Sequence, residues 1–257
     1  MSGRFILAQI SDTHIRADDF GAAAGKLKRA LAGAKAYGAD AIILTGDLVN
    51  NERASEYAAL AHAIAHPPAP LFMMPGNHDE RTRLRQRFAK HAAYLPASGP
   101  LSFAIDDFPV RIVAVDQVVP GETYGMVTDE GARWLDAALA AQPAKPTIVA
   151  LHHPPFLTHD RLFDDIALRD RDLFASVIAK HRQVIRIISG HHHRVAFGQV
   201  AHCPAVIAPS SAWVYGLAVQ PGQQVAPKTK EQTGWMLHIW TEQGGMASNF
   251  IGLETRA

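Results

Sequence analysis

The sequence predicts an α/β fold with two β-sheets packed together. Three observations carry that prediction. Five short apolar runs each end in polar residues, helical stretches fall between them, and a further set of short strand-like runs occupies mainly the second half. The five runs are Phe5–Ile10, Ala41–Leu44, Leu71–Met74, Thr147–Leu151 and Val184–Ile188. Each is four to six residues, rich in Ile, Val, Leu or Met, and bounded by Gly or Pro, which marks a buried strand. Between them, Ala22–Tyr37 places Leu27, Ala30, Leu31 and Ala34 at helical spacing and stops at Gly38. Ser55–Ala65 is Ala-rich and stops before Pro67-Pro68. Glu80–Ala93 is charged, with Asp79 as its expected N-cap, and Asp129–Ala141 and Asp170–Lys180 are amphipathic. Ser102–Ile105, Val110–Asp116, Ala205–Ile207, Met236–Thr241 and Ala247–Ile251 are read as a second sheet packed on the first. Gln220–Gln232 has no periodicity and reads as a mobile loop.

Composition narrows the function classes. The 257 residues carry 25 Lys+Arg against 24 Asp+Glu, so no basic field favours nucleic acid. No apolar run approaches a membrane span, and the N-terminus lacks the long apolar stretch of a signal peptide. One cysteine, Cys203, cannot form an intrachain disulfide, which fits a reducing compartment. The expectation is a soluble cytoplasmic protein forming one domain over 1–257, with 208–232 as a pocket-side loop region. Strand edges near the C-terminus leave a homo-oligomer open.

Fourteen histidines are the first sign of chemistry. In open α/β sheets ligands bind beyond the carboxyl ends of the strands. Here those ends deliver Asp12, His14, Asp47, Asn77, His152, His191 and His193, with His78 beside them. Oxygen and imidazole donors without thiolate suit Mn, Fe, Zn or Co better than Ca or Mg. The set is too large for one tetrahedral ion and large enough for two ions of higher coordination number, the usual clamp for displacement at phosphorus. Asp12/His14 and His191/His193 stand at i and i+2, which places each pair on one face of an extended segment. Gly46, Gly76 and Gly190 precede Asp47, Asn77 and His191, where the chain must turn sharply and the backbone must approach closely.

Asp12-Thr13-His14, Gly46-Asp47, Gly76-Asn77-His78-Asp79, His152 and Gly190-His191-His192-His193 together resemble the calcineurin-like metallophosphoesterase superfamily. The motifs run from 12 to 193. Ser11-Asp12-Thr13-His14 and His152-His153-Pro154-Pro155 look like the class III cyclic-nucleotide phosphodiesterases and, within them, the bacterial glycerophosphodiesterases. The resemblance implies a four-layer α/β/β/α sandwich of two mixed sheets flanked by helices. It implies two transition-metal ions, with Fe and Mn favoured. Asp12, His14 and His193 would hold one, Asn77, His152 and His191 the other, and Asp47 both. His152 rather than His153 matches the ligand position, a histidine followed by one residue and then Pro.

The expected reaction is hydrolysis of a small phosphodiester, a glycerophosphodiester or a 3',5'-cyclic nucleotide, by a metal-bridging hydroxide. Metal binding lowers the pKa of water to about 7. His78 is the expected proton donor to the leaving oxygen, with no nucleic-acid or membrane partner. A phosphomonoesterase is the alternative, since Arg16, Arg161, Arg169 and Arg171 offer cations in neighbouring loops. A non-catalytic scaffold is a further alternative, but it would be expected to have lost a ligand. Phe20, Tyr124, Trp213 and Tyr215 lie in loop-like stretches where both rim and packing roles stay open.

Overall fold

The computed structural model describes residues 3–18, 21–220, 222–223 and 228–253. Phe20 and part of the 208–232 region lie outside them. The chain enters through β1 (Arg4–Ile10), α1 (Ala22–Ala36), β2 (Ala41–Thr45), α2 (Ala54–Ala63), β3 (Leu71–Met74) and α3 (Arg81–Phe88). It continues through β4 (Phe103–Ile105), β5 (Arg111–Ala114), β6 (Gly125–Met126), α4 (Asp129–Ala140) and β7 (Thr147–Ala150). Then come α5 (Arg161–Asp165), β8 (Leu168–Arg169), α6 (Arg171–Lys180), β9 (Val184–Ser189), β10 (Ala196–Val200) and β11 (Cys203–Ile207). It ends on β12 (Gly234–Thr241) and β13 (Gly245–Gly252).

One sheet has the order β13-β12-β1-β2-β3 and the other β10-β11-β9-β7-β5-β4, with β6 and β8 forming a separate short pair. Period-two alternation explains the layering. On β1, Ile6, Ala8 and Ile10 pack with Leu27, Leu31, Leu60 and Leu84 of the first three helices. Phe5 and Leu7 face the other way and meet Ile112, Ile148 and Ile188 of the second sheet. Val113, Val149 and Ile187 turn outward again, against Leu135 and Leu139 of α4 and Phe174 and Ile178 of α6. Both sheets are thus covered on both faces, and their central strands read as continuous apolar runs. The result is the four-layer α/β/β/α sandwich.

The strands divide between the sheets differently from the sequence grouping. β12 and β13 join the first sheet, where β12 runs antiparallel to β1. β7 and β9 join the second. Apolar content marks a buried strand but not its neighbour. The open edge of β1 is satisfied by a segment more than 200 positions away.

Helix ends also need correction. α3 stops at Phe88, and its N-cap is Glu80, whose carboxylate accepts from Thr82 N at 2.7 Å and Arg83 N at 2.8 Å. Asp79 is used elsewhere, as described below. Cys203 is buried, as its apolar setting predicts, and burial pushes its thiol up to about 12.

A polar thread crosses the core. His238 on β12 contacts Ser248 Oγ at 2.8 Å through Nδ1 and Gln9 Oε1 at 3.0 Å through Nε2. Gln9 Nε2 donates to Thr45 Oγ1 at 3.0 Å and to Ser189 O at 2.9 Å, so one amide ties β1 to β2 and to the opposite sheet. Burial, with help from Arg186, lowers His238 from the ordinary 6.5 to about 3. The unfolded chain therefore takes up a proton that the native chain refuses. The stability contributed by neutral His238 is complete above the unfolded pKa and is lost as pH falls from about 6.5 toward 3. Urea midpoints of the wild type and of His238→Asn should accordingly converge as pH is lowered from 7.5 to 4.5. A gap that stays constant over that range would contradict a neutral His238.

Candidate metal centre

Parallel pairing of β1, β2 and β3, and of β5, β7 and β9, brings their carboxyl ends to one edge of the sandwich. The loops beyond β1 and β2 keep pairing: Asp12 N donates to Gly46 O (3.1 Å), His14 N to Asp47 O (2.9 Å) and Ile15 N to Leu48 O (3.1 Å). The two sheets are joined where Asp12 accepts from His191 N, both oxygens at 3.1 Å. Gly190 N donates to His152 O at 2.9 Å.

The i, i+2 pairs converge, but not on extended backbone. Asp12 (φ 51°), His14 (41°), Asp47 (48°), His191 (69°) and His193 (60°) all occupy the left-handed region. Each such non-glycine position costs about 1–3 kcal/mol and persists only where its surroundings fix it. Thr13 and His192 do point away: Thr13 Oγ1 donates to Leu48 O, and the His192 ring lies 4.9 Å from Phe163.

The glycines are there for close approach. A Cβ on Gly76 would lie 2.3 Å from Asp47 Oδ1, and one on Gly46 2.5 Å from His152 Nδ1. One on Gly190 would be 1.9 Å from Ser11 Oγ.

Asp12, His14, Asp47 and His193 form one buried group, with one candidate ligand atom from each all within 4.8 Å of one another. His14 Nε2 lies 3.1 Å from His193 Nε2 and 3.5 Å from Asp47 Oδ2, and His193 Nε2 lies 3.5 Å from Asp12 Oδ1. Such spacings suit donors sharing one ion about 2.1 Å from each. The second group contains His152, His153 and His191. Its link to the first is Asp47 again, whose Oδ1 lies 3.3 Å from His152 Nε2. Among buried atoms that make no hydrogen bond are His152 Nε2, His191 Nε2 and Asn77 Oδ1. Three buried atoms with unused lone pairs fit a cation, and nitrogen and oxygen without sulfur is a transition-metal set. The chain therefore holds two buried His/Asp groups that fit a dimetal centre.

The ring nitrogens facing away are anchored. His152 Nδ1 contacts Thr45 O at 2.8 Å, and His193 Nδ1 contacts Trp213 O at 3.0 Å, which fixes each ring and leaves Nε2 for a metal. Burial holds His14 and His191 well below the ordinary imidazole range and His193 at about 3, so all three are neutral donors. Burial also pushes the Asp12 carboxyl up to about 7, reinforced by Asp47. For Asp47, burial is outweighed by His152, His14 and His78, and its carboxyl stays well below the usual range. His152 responds in kind: against burial, Asp47 and Asp12 raise it to about 9. Asp47 therefore stays anionic and draws positive charge to itself from both sides.

His78 lies beside the groups. Its backbone N donates to Asp47 Oδ1 at 2.9 Å, its Nδ1 contacts Asn50 O at 2.9 Å, and its ring is 4.9 Å from that of His14. His153 has both ring nitrogens engaged, Nδ1 with the Gln117 amide at 3.1 Å and Nε2 with Thr123 O at 3.0 Å. Asp79 is a buried brace: it accepts from Leu48 N at 2.9 Å, Val49 N at 3.3 Å, Gly76 N at 3.0 Å and Tyr57 Oη at 3.3 Å. It thereby pins the Asp47 and Asn77 loops together, a role that a cap reading does not anticipate.

Sequence reasoning left two contacts unassigned. Trp213 stacks 4.4 Å from His14 besides orienting His193, and Tyr215 lies 5.1 Å from His193. Their loop context, shared with Ser210, whose Oγ donates to Asp12 O at 2.8 Å, was the available signal. Of the loop arginines, Arg16 pairs with Asp18, Arg169 lies over Tyr124, and Arg171 donates to Leu168 O.

Gly76→Ala tests the close approach directly. Its Cβ would displace Asp47, so the folded variant should lose most of its bound Mn²⁺ on gel filtration, read by elemental analysis. Unchanged metal content would contradict the packing described here.

The model of the calcineurin-like phosphoesterase family matches residues 6–195. The chain is 30% identical over 216 residues to the glycerophosphodiester phosphodiesterase GpdQ of Enterobacter lignolyticus, covering 80% of this chain and 77% of that one. It is 30% identical over 229 residues to a cAMP/cGMP dual specificity phosphodiesterase of Mycobacterium tuberculosis, covering 85% and 71%. In fold it resembles a dimetal phosphatase from Danio rerio, with a TM-score of 0.74 at 14% identity over 96% of each chain. Together with the buried Asp47 between two donor groups, these matches make the chain a member of the calcineurin-like phosphoesterase family.

Proposed function

We propose that this chain is a dinuclear-metal phosphodiesterase acting on small phosphodiesters, with glycerophosphodiesters and 3',5'-cyclic nucleotides as the substrate candidates. One observation carries the reading: the two oxygens of Asp47 face different groups, Oδ2 toward His14 Nε2 at 3.5 Å and Oδ1 toward His152 Nε2 at 3.3 Å. Asp12, His14 and His193 would hold one ion, Asn77, His152 and His191 the other, and Asp47 both. Mn, Fe, Zn or Co would suit the donor set, and the family resemblance favours Fe and Mn. When bound, such a pair supplies Lewis-acid charge and a water that ionises near neutral pH.

The protein's own work is to place, neutralise and protonate. Asp12 and Asp47 supply the only buried carboxylate charge in the first group, and the imidazoles around them are neutral or paired. His78 is the proton donor in this reading. Burial opposes its protonation, but Asp47 and the Asn50 carbonyl outweigh burial and raise its pKa. With Nδ1 on Asn50 O, its Nε2 has no protein partner among the described residues and is free for the leaving oxygen. The diester preference is supported by the names of the two relatives.

The Mn²⁺-reconstituted protein should hydrolyse bis(p-nitrophenyl) phosphate with a higher kcat/KM than p-nitrophenyl phosphate. Faster turnover of the monoester would overturn the diesterase reading. Asp47→Ala should lose both ions and all turnover, since it removes the shared ligand. His78→Gln should keep its metal but lose about 10²–10⁴-fold in kcat on a diester with an alkoxide leaving group, and much less on p-nitrophenyl esters. Equal losses on both leaving groups would remove His78 from the role of acid.

A further inference from the structure

Two cavities lie side by side, and the first of them borders Asn77. One, of about 430 Å³, is bordered by Asn77 itself together with Asp79, Thr82 and Gly121. The other, of about 480 Å³, is bordered by Val115, Met126, Val127, Gly131 and Trp134. They share Arg81, Pro100, Val118 and Pro120, so the second adjoins the first.

The shared wall is rigid and its charge is spent. Arg81 donates to Asp116 through Nε at 2.6 Å and Nη2 at 2.7 Å, and Nη2 also reaches Val118 O at 2.6 Å. Asp116 further accepts from Leu101 N at 2.7 Å and Val118 N at 3.0 Å. Arg85, at the edge of the first cavity, donates to Pro96 O and Gly99 O. The remaining ionic groups around the two cavities are acidic, Glu52 and Glu80 beside the first and Glu130 beside the second. Among the described residues lining the two cavities, an anionic substituent would find no uncommitted cation. Side chains of Val, Pro, Met and Trp dominate the second cavity.

We propose that these paired cavities bind the substrate ester group on the Asn77 side, and that this group is a bulky apolar alcohol, ring-sized or larger. The proposal rests on the diesterase reading and narrows its substrate class. A phosphoryl group held by the candidate ligands would direct one ester substituent past Asn77 into the first cavity. A methyl or glyceryl group would end there. Only a larger apolar group would reach Met126 and Trp134 and remove their surface from water. Fixed walls mean that little ordering is needed on binding, so the gain should appear mainly in KM.

The test uses the full chain reconstituted with Mn²⁺ and p-nitrophenyl diesters whose second ester is methyl or phenyl. The phenyl ester should be preferred by about tenfold or more in kcat/KM. Gly131 offers a clean plug: it is in α4, and a Cβ there meets nothing closer than Thr128 Oγ1 at 3.4 Å. Gly131→Leu should cut the phenyl-to-methyl ratio toward one, and Trp134→Ala should move the preference to a naphthyl ester. Calorimetric titration with dimethylphosphinate and methyl(phenyl)phosphinate, which carry no ester bond to cleave, gives a readout independent of turnover. The phenyl compound should bind about tenfold tighter to wild type, and that margin should vanish in Gly131→Leu. Equal kcat/KM for methyl and phenyl esters in the wild type, or a ratio unmoved by the plug, overturns the cavity assignment while leaving the diesterase reading intact. Failure to turn over any diester, with metal bound, overturns the reading beneath it.

Discussion

Asp47 is the constraint around which the rest is arranged. A carboxylate that must serve donors on both sides cannot be approached by ordinary side chains from above and below. Gly76 sits against it, where a Cβ would come within 2.3 Å of Oδ1, and Gly46 sits against His152, where a Cβ would come within 2.5 Å of Nδ1. The remaining space belongs to polar hydrogen: the His78 amide donates to Oδ1 at 2.9 Å. Burial alone would neutralise such a carboxyl, and only the converging imidazoles keep it charged. A buried anion of this kind is expensive unless positive charge is brought to it, which ties the geometry of the centre to its appetite for cations.

The fold supplies the rigidity that this arrangement requires. Five residues of the centre stand in the left-handed region, so the strands and braces beneath them must hold several kcal/mol of backbone strain in place. Asp79 performs part of that task by accepting from three backbone amides in two ligand loops. Gln9 performs another part, since its amide reaches Thr45 Oγ1 and Ser189 O. Thr45 in turn offers its carbonyl to His152, and Ser189 is followed by Gly190 and His191. Polar threads through an otherwise apolar interior thus run toward the candidate ligands. A core packed only for stability would have no use for an amide between two sheets.

Much of this was legible from residues alone, and the exceptions follow a pattern. The strands carrying the candidate ligands were readable because burial on both faces makes them continuous apolar runs, and the amphipathic helices were readable from Leu27, Leu31, Leu135 and Leu139. The converging residues were readable because they stand at strand ends in motif order. What stayed hidden was tertiary. Nothing in Gly234–Thr241 says that it pairs with β1 rather than with a strand of the other sheet. The positive φ values of Asp12 and His193 override the extended conformation that an i, i+2 spacing suggests. Asp79 looks like a cap by position, but Glu80 takes the cap and frees Asp79 for burial. Trp213 is separated from the last motif by β10 and β11 and sits in the irregular stretch that follows them, so no period points to its carbonyl contact with His193.

The same loops that hold the candidate ligands also shape the space beyond them. Gln117 is buried, touches His153 Nδ1 at 3.1 Å and lines the larger cavity with its neighbours Asp116 and Val118. His153 precedes Pro154 and follows His152, so the wall of that cavity and the ring of His152 are separated by one residue and one hydrogen bond. Arg81 fixes the opposite side, four residues after Asn77, through Asp116. Two candidate ligands of one ion are therefore each coupled, by a short and fully bonded path, to the surface that would receive an ester group. A group that fits those walls would meet donors already in place. One that pushes them apart would disturb His152 and Asn77 as well, so on the proposed reading discrimination between alcohols and retention of a second ion would be two consequences of the same packing.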